Sequence, residues 1–186
     1  MSERFQRLVR EQKHQVFSFA YYFLGHREDA EDVAQDVLLR LWHHRQQLDD
    51  ESVPAWLCRV TRNACLDQLR RRRTRRAVFH SDGMELAIQA PAPQPSPEHH
   101  AAGADFQRQL QRALAEVAEP YRSVVILREI HELKYEEISE QLEMPLNTVK
   151  TYLHRGRRLL RERLREVYDH VSGNTAAGTD RQRRVQ

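Results

Sequence analysis

Residues 77–104, AVFHSDGMELAIQAPAPQPSPEHHAAGA, carry prolines at 91, 93, 95 and 97 and little apolar content at helical or strand spacing. Each proline lacks a backbone donor and steers its predecessor out of the helical region, so this stretch cannot continue a helix or occupy a central strand. It reads as a flexible linker, extended through its prolines at about 3.1 Å per residue. Fully stretched it reaches at most about 90 Å, and as a coil roughly 30 Å. The 186-residue chain is thereby cut into two pieces of about 80 residues, each near the lower limit for a self-sufficient core.

Both pieces follow helical periodicity, and no strand pattern or fixed-period repeat interrupts it. Over 5–23, Phe5, Leu8, Val9, Val16, Phe19, Ala20 and Phe23 share a face, and Gly25 ends the run. A second helix is expected over 27–46, with Ala30, Val33, Ala34, Val37, Leu41 and Trp42 inward. LDDESVP then makes a loop in which Asp50 or Ser52 is available as a cap. The third helix, AWLCRVTRNACLDQLRRRRTRR, buries Trp56, Leu57, Val60, Ala64 and Leu69 and ends in an arginine tract. Past the linker, helices are expected over 105–118, 120–131 and 135–142, and a long one after Pro145. The fold class is therefore all-α: two small helical modules joined by a flexible linker.

Bulk properties exclude several classes. The first residues, MSERFQRLVREQKHQ, lack the apolar core of a signal peptide, and no apolar run approaches the roughly 18 residues of a membrane span. A soluble, cytoplasmic protein without direct membrane insertion is expected. Cys58 and Cys65 lie about 10 Å apart along one helix, too far to bridge each other, and read as small buried apolar residues. The histidines are not grouped with cysteines as zinc ligands are, so neither a metal nor another cofactor is expected.

The net charge is only +3, yet the charge is sorted. In LEMPLNTVKTYLHRGRRLLRERL, Leu146, Val149, Leu153, Leu160 and Leu164 line one face with Gly156 beside them. The opposite face gathers Lys150, Thr151, His154, Arg155, Arg158, Arg161 and Arg165. With YEEISEQL before it, this helix has the order and length of the second member of a helix-turn-helix, the one that enters the major groove. Asn147, Thr148 and Lys150 stand at its penetrating end, and Arg157, Arg158 and Arg161 further along, where phosphates pass. The plainer alternative is a solvated basic face on a bundle helix.

RNACLDQLRRRRTRR poses a similar choice, but its arginines, among them Arg62, Arg70 and Arg71, project from a helix with Trp56 and Leu57 at its root, which favours nucleic acid over a loose tail. Asn63 and Arg59 lie one turn apart near the loop, where an unpaired base can be held by hydrogen bonds. In HREDAEDVAQDVLLRLW, Asp29, Asp32 and Asp36 stack on one face. They admit a helical magnesium-dependent hydrolase, a solvated surface, or, because Leu38 and Leu39 extend the face, a docking site for a basic and partly apolar protein.

Taken together, DAEDVAQDVLLRLW, PAWLCRVTRNACLDQLRRRR, the proline-bearing linker and YRSVVILREIHELKYEEISEQLEMPLNTVKTYLHRGRRLL resemble regions two and four of bacterial extracytoplasmic-function (ECF) sigma factors, in family order. The resemblance implies a non-enzymatic subunit that binds core RNA polymerase, through its beta-prime and beta subunits, and directs promoter-specific transcription initiation. It implies region two at 1–76, a linker at 77–104, region four at 105–168 and a disordered tail at 169–186. It implies polymerase binding by Asp32, Gln35, Asp36 and Leu39, and capture of the minus-ten element as a separated strand by Arg59, Arg62, Asn63, Arg70 and Arg71. Reading of the minus-thirty-five element in the major groove falls to Asn147, Thr148, Lys150, Thr151, Tyr152, His154, Arg155 and Arg158. Promoter DNA and an anti-sigma factor are the further partners implied.

The chain departs from the family pattern in places. The usual leucine-proline opening of region four is Glu119-Pro120, the common glycine ahead of the recognition proline is replaced by Glu143-Met144, and Asn147-Thr148 replaces a frequent glycine-threonine. Asn147 is a candidate cap for the helix it opens. The competing readings are a stand-alone helix-turn-helix regulator, which needs neither the acidic-leucine patch nor the second arginine helix, and the hydrolase.

Overall fold

The computed structural model describes residues 3–81 and 101–180. Over these residues the chain forms α1 (Glu3–Leu24), α2 (Arg27–His44), α3 (Val53–Ser81), α4 (Ala101–Glu116), α5 (Tyr121–Val125), a π-helical turn (Ile126–Ile130), α6 (Tyr135–Gln141) and α7 (Leu146–Asp180). No strand occurs among the described residues. The bulk of the expected linker, 82–100, and the end of the expected tail, 181–186, lie outside them, while the two ends of the expected linker, 77–81 and 101–104, are helical and belong to α3 and α4. α7 continues to Asp180, past residue 168, where the sequence reading ends the second module.

The first three helices pack as the apolar spacing dictates. Phe19, Phe23, Val37, Leu41 and Leu57 are buried in one core, and each large side chain so placed contributes about 1.5–3 kcal/mol. Gly25 closes α1 at φ +68, a left-handed backbone that costs glycine little, and its N–H donates to Tyr21 O at 2.9 Å. At the other end of the bundle Phe5 meets Trp42 edge-on at 4.8 Å. The loop before α3 is tied to α1 by Arg4 and Arg7, which bind the two oxygens of Asp50 at 2.7 and 2.8 Å. Asp50 is therefore a tether and not a cap. Ser52 stands ahead of α3, and its backbone N–H and its hydroxyl both donate to Asp49, at 2.7 and 3.1 Å.

In the second module α7 lies across α5 and α4. Gly156 makes the crossing possible: a Cβ there would stand 2.6 Å from Val125 Cγ2 and 3.2 Å from Tyr121 O. The segment expected as one helix over 120–131 instead splits into α5 and the π turn, where His131 N–H reaches back to Ile126 O at 3.1 Å. From Arg122 to Leu127 every residue is buried. An ordinary helix on a module surface leaves one side wet; this one has none, because it is wedged between α7 and the first module.

The two modules are in contact. α1 packs on α4 and on the π turn, and α3 packs on α6. Arg122 crosses the junction: it donates to Phe23 O at 3.0 Å, at the end of α1, to Val117 O at 2.8 Å, and to Ala115 O. Its guanidinium also lies over the Phe23 ring at 5.0 Å. Phe19 meets His131 edge-on at 6.2 Å across the same junction.

Candidate DNA and polymerase interfaces

α7 presents the basic face expected of it. Val149 and Leu153 are buried against the module, and Asn147, Lys150, Thr151, His154, Arg155 and Arg158 are exposed on the other side. Ahead of it the turn is tightly drawn. Glu143 takes φ +52, Met144 N–H donates to Ser139 O at 3.0 Å, and Ser139 Oγ donates to Met144 O at 2.6 Å. α6 is fixed at its start by Glu137, which accepts from Lys134 N–H at 2.6 Å. Together these bonds set the angle between α6 and α7, and so the presentation of the basic face.

Three residues of this set differ from the simplest expectation. Asn147 lies inside the first turn of α7 and does not cap it; Pro145 O accepts from Thr148 N–H and Val149 N–H at 2.8 and 3.1 Å. Proline reaches that place because its own missing N–H is of no consequence there. Thr148 is half-buried. Tyr152 is half-buried too, packed edge-on to Tyr121 at 5.2 Å, so its ring props α7 on α5 beside the exposed face. Arg157 leaves the basic set as well: it binds Glu129 at 2.7 Å and pins α7 to the π turn, and this hydrogen bond holds its proton more tightly than usual.

On α3 the expected residues divide into two groups. Asn63 and Arg71 are exposed, and Arg70 is exposed and pairs with Asp67 at 2.7 Å. Arg59 and Arg62 are engaged across the module junction, Arg59 with Glu143 at 2.7 Å and Arg62 with Glu119 at 3.1 Å. Arg72 turns back on α2 and pairs with Asp29, which also accepts from Gln68 at 2.9 Å. This removes Asp29 from the stacked carboxylates. The aspartate is a strut between α2 and α3, while Asp32 and Asp36 remain exposed and Asp36 pairs with Arg40 at 2.7 Å.

Asp32, Gln35, Asp36 and Leu39 thus form one solvent-facing strip of α2, in which Leu39 is 59% exposed. Leu38, its neighbour in sequence, packs on the core instead. Neither cysteine is suited to nucleophilic chemistry. Both thiols are buried, burial pushes that of Cys58 up to about 12, and that of Cys65 rises further.

Residues missed by sequence reasoning are Arg122, Ser123, Glu119 and Glu143, all at the module junction. Glu119 and Glu143 were visible only as departures from a family pattern, and Arg122 gave no signal at all.

Comparison with known proteins agrees with this layout. Residues 8–75 match the family model Sigma-70 region 2, and residues 107–160 match Sigma-70, region 4. The chain is 35% identical over 158 residues to the ECF RNA polymerase sigma factor SigE of Mycolicibacterium smegmatis, a match covering 84% of this chain and 60% of that protein. To the ECF RNA polymerase sigma factor SigW of Bacillus subtilis it is 30% identical over 160 residues, covering 83% of this chain and 86% of that one. Among solved structures, the sigma factor RpoE in complex with the anti-sigma factor NepR from Bartonella quintana is 26% identical at a TM-score of 0.68, covering 88% of this chain and 98% of that one. CnrH in complex with the cytosolic domain of CnrY shares the fold at 21% identity and a TM-score of 0.64, over 89% and 90% of the two chains. With both modules matched in order along the chain, it belongs to the ECF RNA polymerase sigma factors, the subunits that direct transcription initiation.

Proposed function

We propose that this chain selects promoters for core RNA polymerase in the cytoplasm, without catalytic chemistry of its own, through three surfaces. The strip Asp32, Gln35, Asp36 and Leu39 docks on a basic, partly apolar face of the polymerase. The outer side of α3, with Arg59, Arg62, Asn63, Arg70 and Arg71, holds the separated strand of the minus-ten element. The outer face of α7 reads the minus-thirty-five element: Asn147, Lys150, Thr151, His154 and Arg155 meet base edges, Thr148 and Tyr152 set the pose, and Arg158 meets phosphate. No helix of the described residues is long and apolar enough to cross a membrane.

The observation that carries this reading is Leu39. A leucine 59% exposed between carboxylates on a well-packed helix serves no purpose in a lone helix-turn-helix regulator and fits a protein-docking strip. The nearby carboxylates do not favour a hydrolase, since Asp29 is committed to Arg72 and Gln68. An anti-sigma factor is a further partner on this reading, supported by the complex of the RpoE relative with NepR. The test is run-off transcription on fragmented genomic DNA with core polymerase and this protein, followed by sequencing of transcript starts. A shared pair of upstream elements at the new starts is expected. Starts indistinguishable from those of core polymerase alone reject the proposal.

A further inference from the structure

We propose that Arg4 and Arg7, at the start of α1, are positioning residues for reading the minus-ten strand: through Asp50 they hold the loop of residues 45–52 in the shape that receives an unpaired base. The clamp itself rests on geometry alone; its consequence for base choice rests on the assignment of α3, and of the loop that leads into it, to the separated strand.

The loop joins His44, the last residue of α2, to Val53, the first of α3. All three guanidinium nitrogens of Arg4 are committed to it: Nε donates to Asp50 Oδ1 at 2.7 Å, one terminal nitrogen to Arg45 O at 3.2 Å and the other to Leu48 O at 2.6 Å. Arg7 donates to the second carboxylate oxygen, Asp50 Oδ2, at 2.8 Å. A planar fork so placed fixes the loop at residues 45, 48 and 50 together. The rest is closed from within, by the two bonds from Ser52 to Asp49 at 2.7 and 3.1 Å and by Gln47 N–H to His44 O at 2.9 Å. The root of the loop is seated on α1 as well. Phe5, next to Arg4, meets Trp42 edge-on at 4.8 Å, and Arg45 lies over the Trp42 ring at 3.7 Å.

Stability alone does not account for this clamp. The side chains of Arg4, Arg7 and Asp50 are 42%, 55% and 45% exposed, and ion pairs so open to water add little to a fold. What they determine is the shape of the loop. Gln46, Gln47, Asp49 and Glu51 are exposed along it, and its end at Val53 lies less than two turns of α3 from Arg59. The edge of an unpaired base is recognised by donors and acceptors at fixed places. A loop ordered in advance loses little further freedom when the base arrives. The two arginines therefore contribute to base choice without touching the strand.

The experiment uses the complete chain assembled with core polymerase. The holoenzyme is offered a single-stranded oligonucleotide with a randomised central stretch, and sequencing of the strands retained on a filter gives the enriched motif and the base preference within it. The parent is expected to show a clear preference. Arg4→Gln with Arg7→Gln is expected to lower it about ten-fold while the total strand retained changes little. Arg4→Lys keeps the charge but not the three-pronged fork, and is expected to lose preference too. Arg10→Gln with Lys13→Gln, exposed further along α1, removes the same charge and is expected to leave the preference intact. Asp50→Asn should match Arg4→Gln, and the two combined should lose no more than the larger single loss, because both open one clamp. A merely structural role would lower the retention of every sequence alike, together with the thermal midpoint. That result, an equal loss in the Arg10 and Lys13 control, additive losses for Arg4→Gln and Asp50→Asn, or a preference kept by Arg4→Lys or by the double arginine variant overturns the positioning role and leaves the strand assignment standing. A parent holoenzyme that shows no preference overturns the strand assignment and the positioning role with it.

Discussion

Arg155 and Arg161 are both exposed on α7, less than two turns apart, and chemistry alone does not distinguish them. Position does. On the proposed docking, Arg155, nearer the N-terminal end of α7, enters the groove, and Arg161, six residues further along, meets the duplex backbone. Arg155→Ala is expected to cost about 1–3 kcal/mol on the matched duplex and little on a mismatched one, whereas Arg161→Ala weakens all sequences alike and lowers the salt dependence by about one phosphate. Titration of both variants against matched and mismatched duplexes at several salt concentrations separates the two roles. Equal losses on both duplexes for Arg155→Ala make it a phosphate contact. On the opposite module, Asp32→Arg with Asp36→Arg should abolish co-purification with core polymerase while leaving the melting temperature nearly unchanged, since both carboxylates face solvent. Undiminished co-purification rejects the docking strip.

At the scale of the element, Gly156 carries the sharpest expectation. Alanine favours a helix interior over glycine by about 1 kcal/mol, but its methyl would meet Val125 Cγ2 at 2.6 Å in a packed core, and overpacking costs about 1–3 kcal/mol. Gly156→Ala should lower the thermal midpoint, and the same substitution made in a Val125→Ala background, where the collision is cleared, should lower it by less. A midpoint raised by the single substitution would show that α5 and α7 can move apart at no cost. The main helices were legible in the sequence because their apolar residues repeat at helical spacing, and Gly156 was legible as a gap on the apolar face of α7. The break of 120–131 into α5 and a π turn was not. Four consecutive apolar residues, Val124 to Leu127, fit a helix buried on one side or on all sides equally well, and only a second packing surface decides between them. Arg122 and Ser123 were missed for the same reason: polar residues are expected outside, and their burial here depends on a module elsewhere in the chain. The outward face of α7 and the acidic-leucine strip of α2, built from local spacing, were legible; the engagement of Arg59 and Arg62 by distant carboxylates was not.

In the whole molecule the junction has a built-in sensitivity to acid. His131 follows the π turn and lies against Phe19 of α1; burial, reinforced by the nearby His14, pushes its imidazole down to about 4 from its ordinary value of 6.5. No hydrogen bond reaches its buried Nε2, so a proton taken up there is poorly solvated. Above pH 6.5 the ring is neutral whether the chain is folded or not, and it contributes no pH dependence. As pH falls from about 6.5 towards 4, the unfolded chain binds the proton and the folded chain resists it, so stability declines across that window and the decline levels off below it. The loss amounts to about 1–3 kcal/mol, on the order of 1.4 kcal/mol for each unit by which the two states differ. His131→Phe keeps a ring against Phe19 and removes the titration. Urea denaturation at steps between pH 7 and pH 4 should therefore show a smaller drop in stability for this variant than for the parent chain. The rest of the acid response, from carboxylates such as Asp50 that are held ionised by arginine, should be shared by both. Parallel curves for the two proteins would mean that water reaches His131 at the junction, and that the modules are not closed over it.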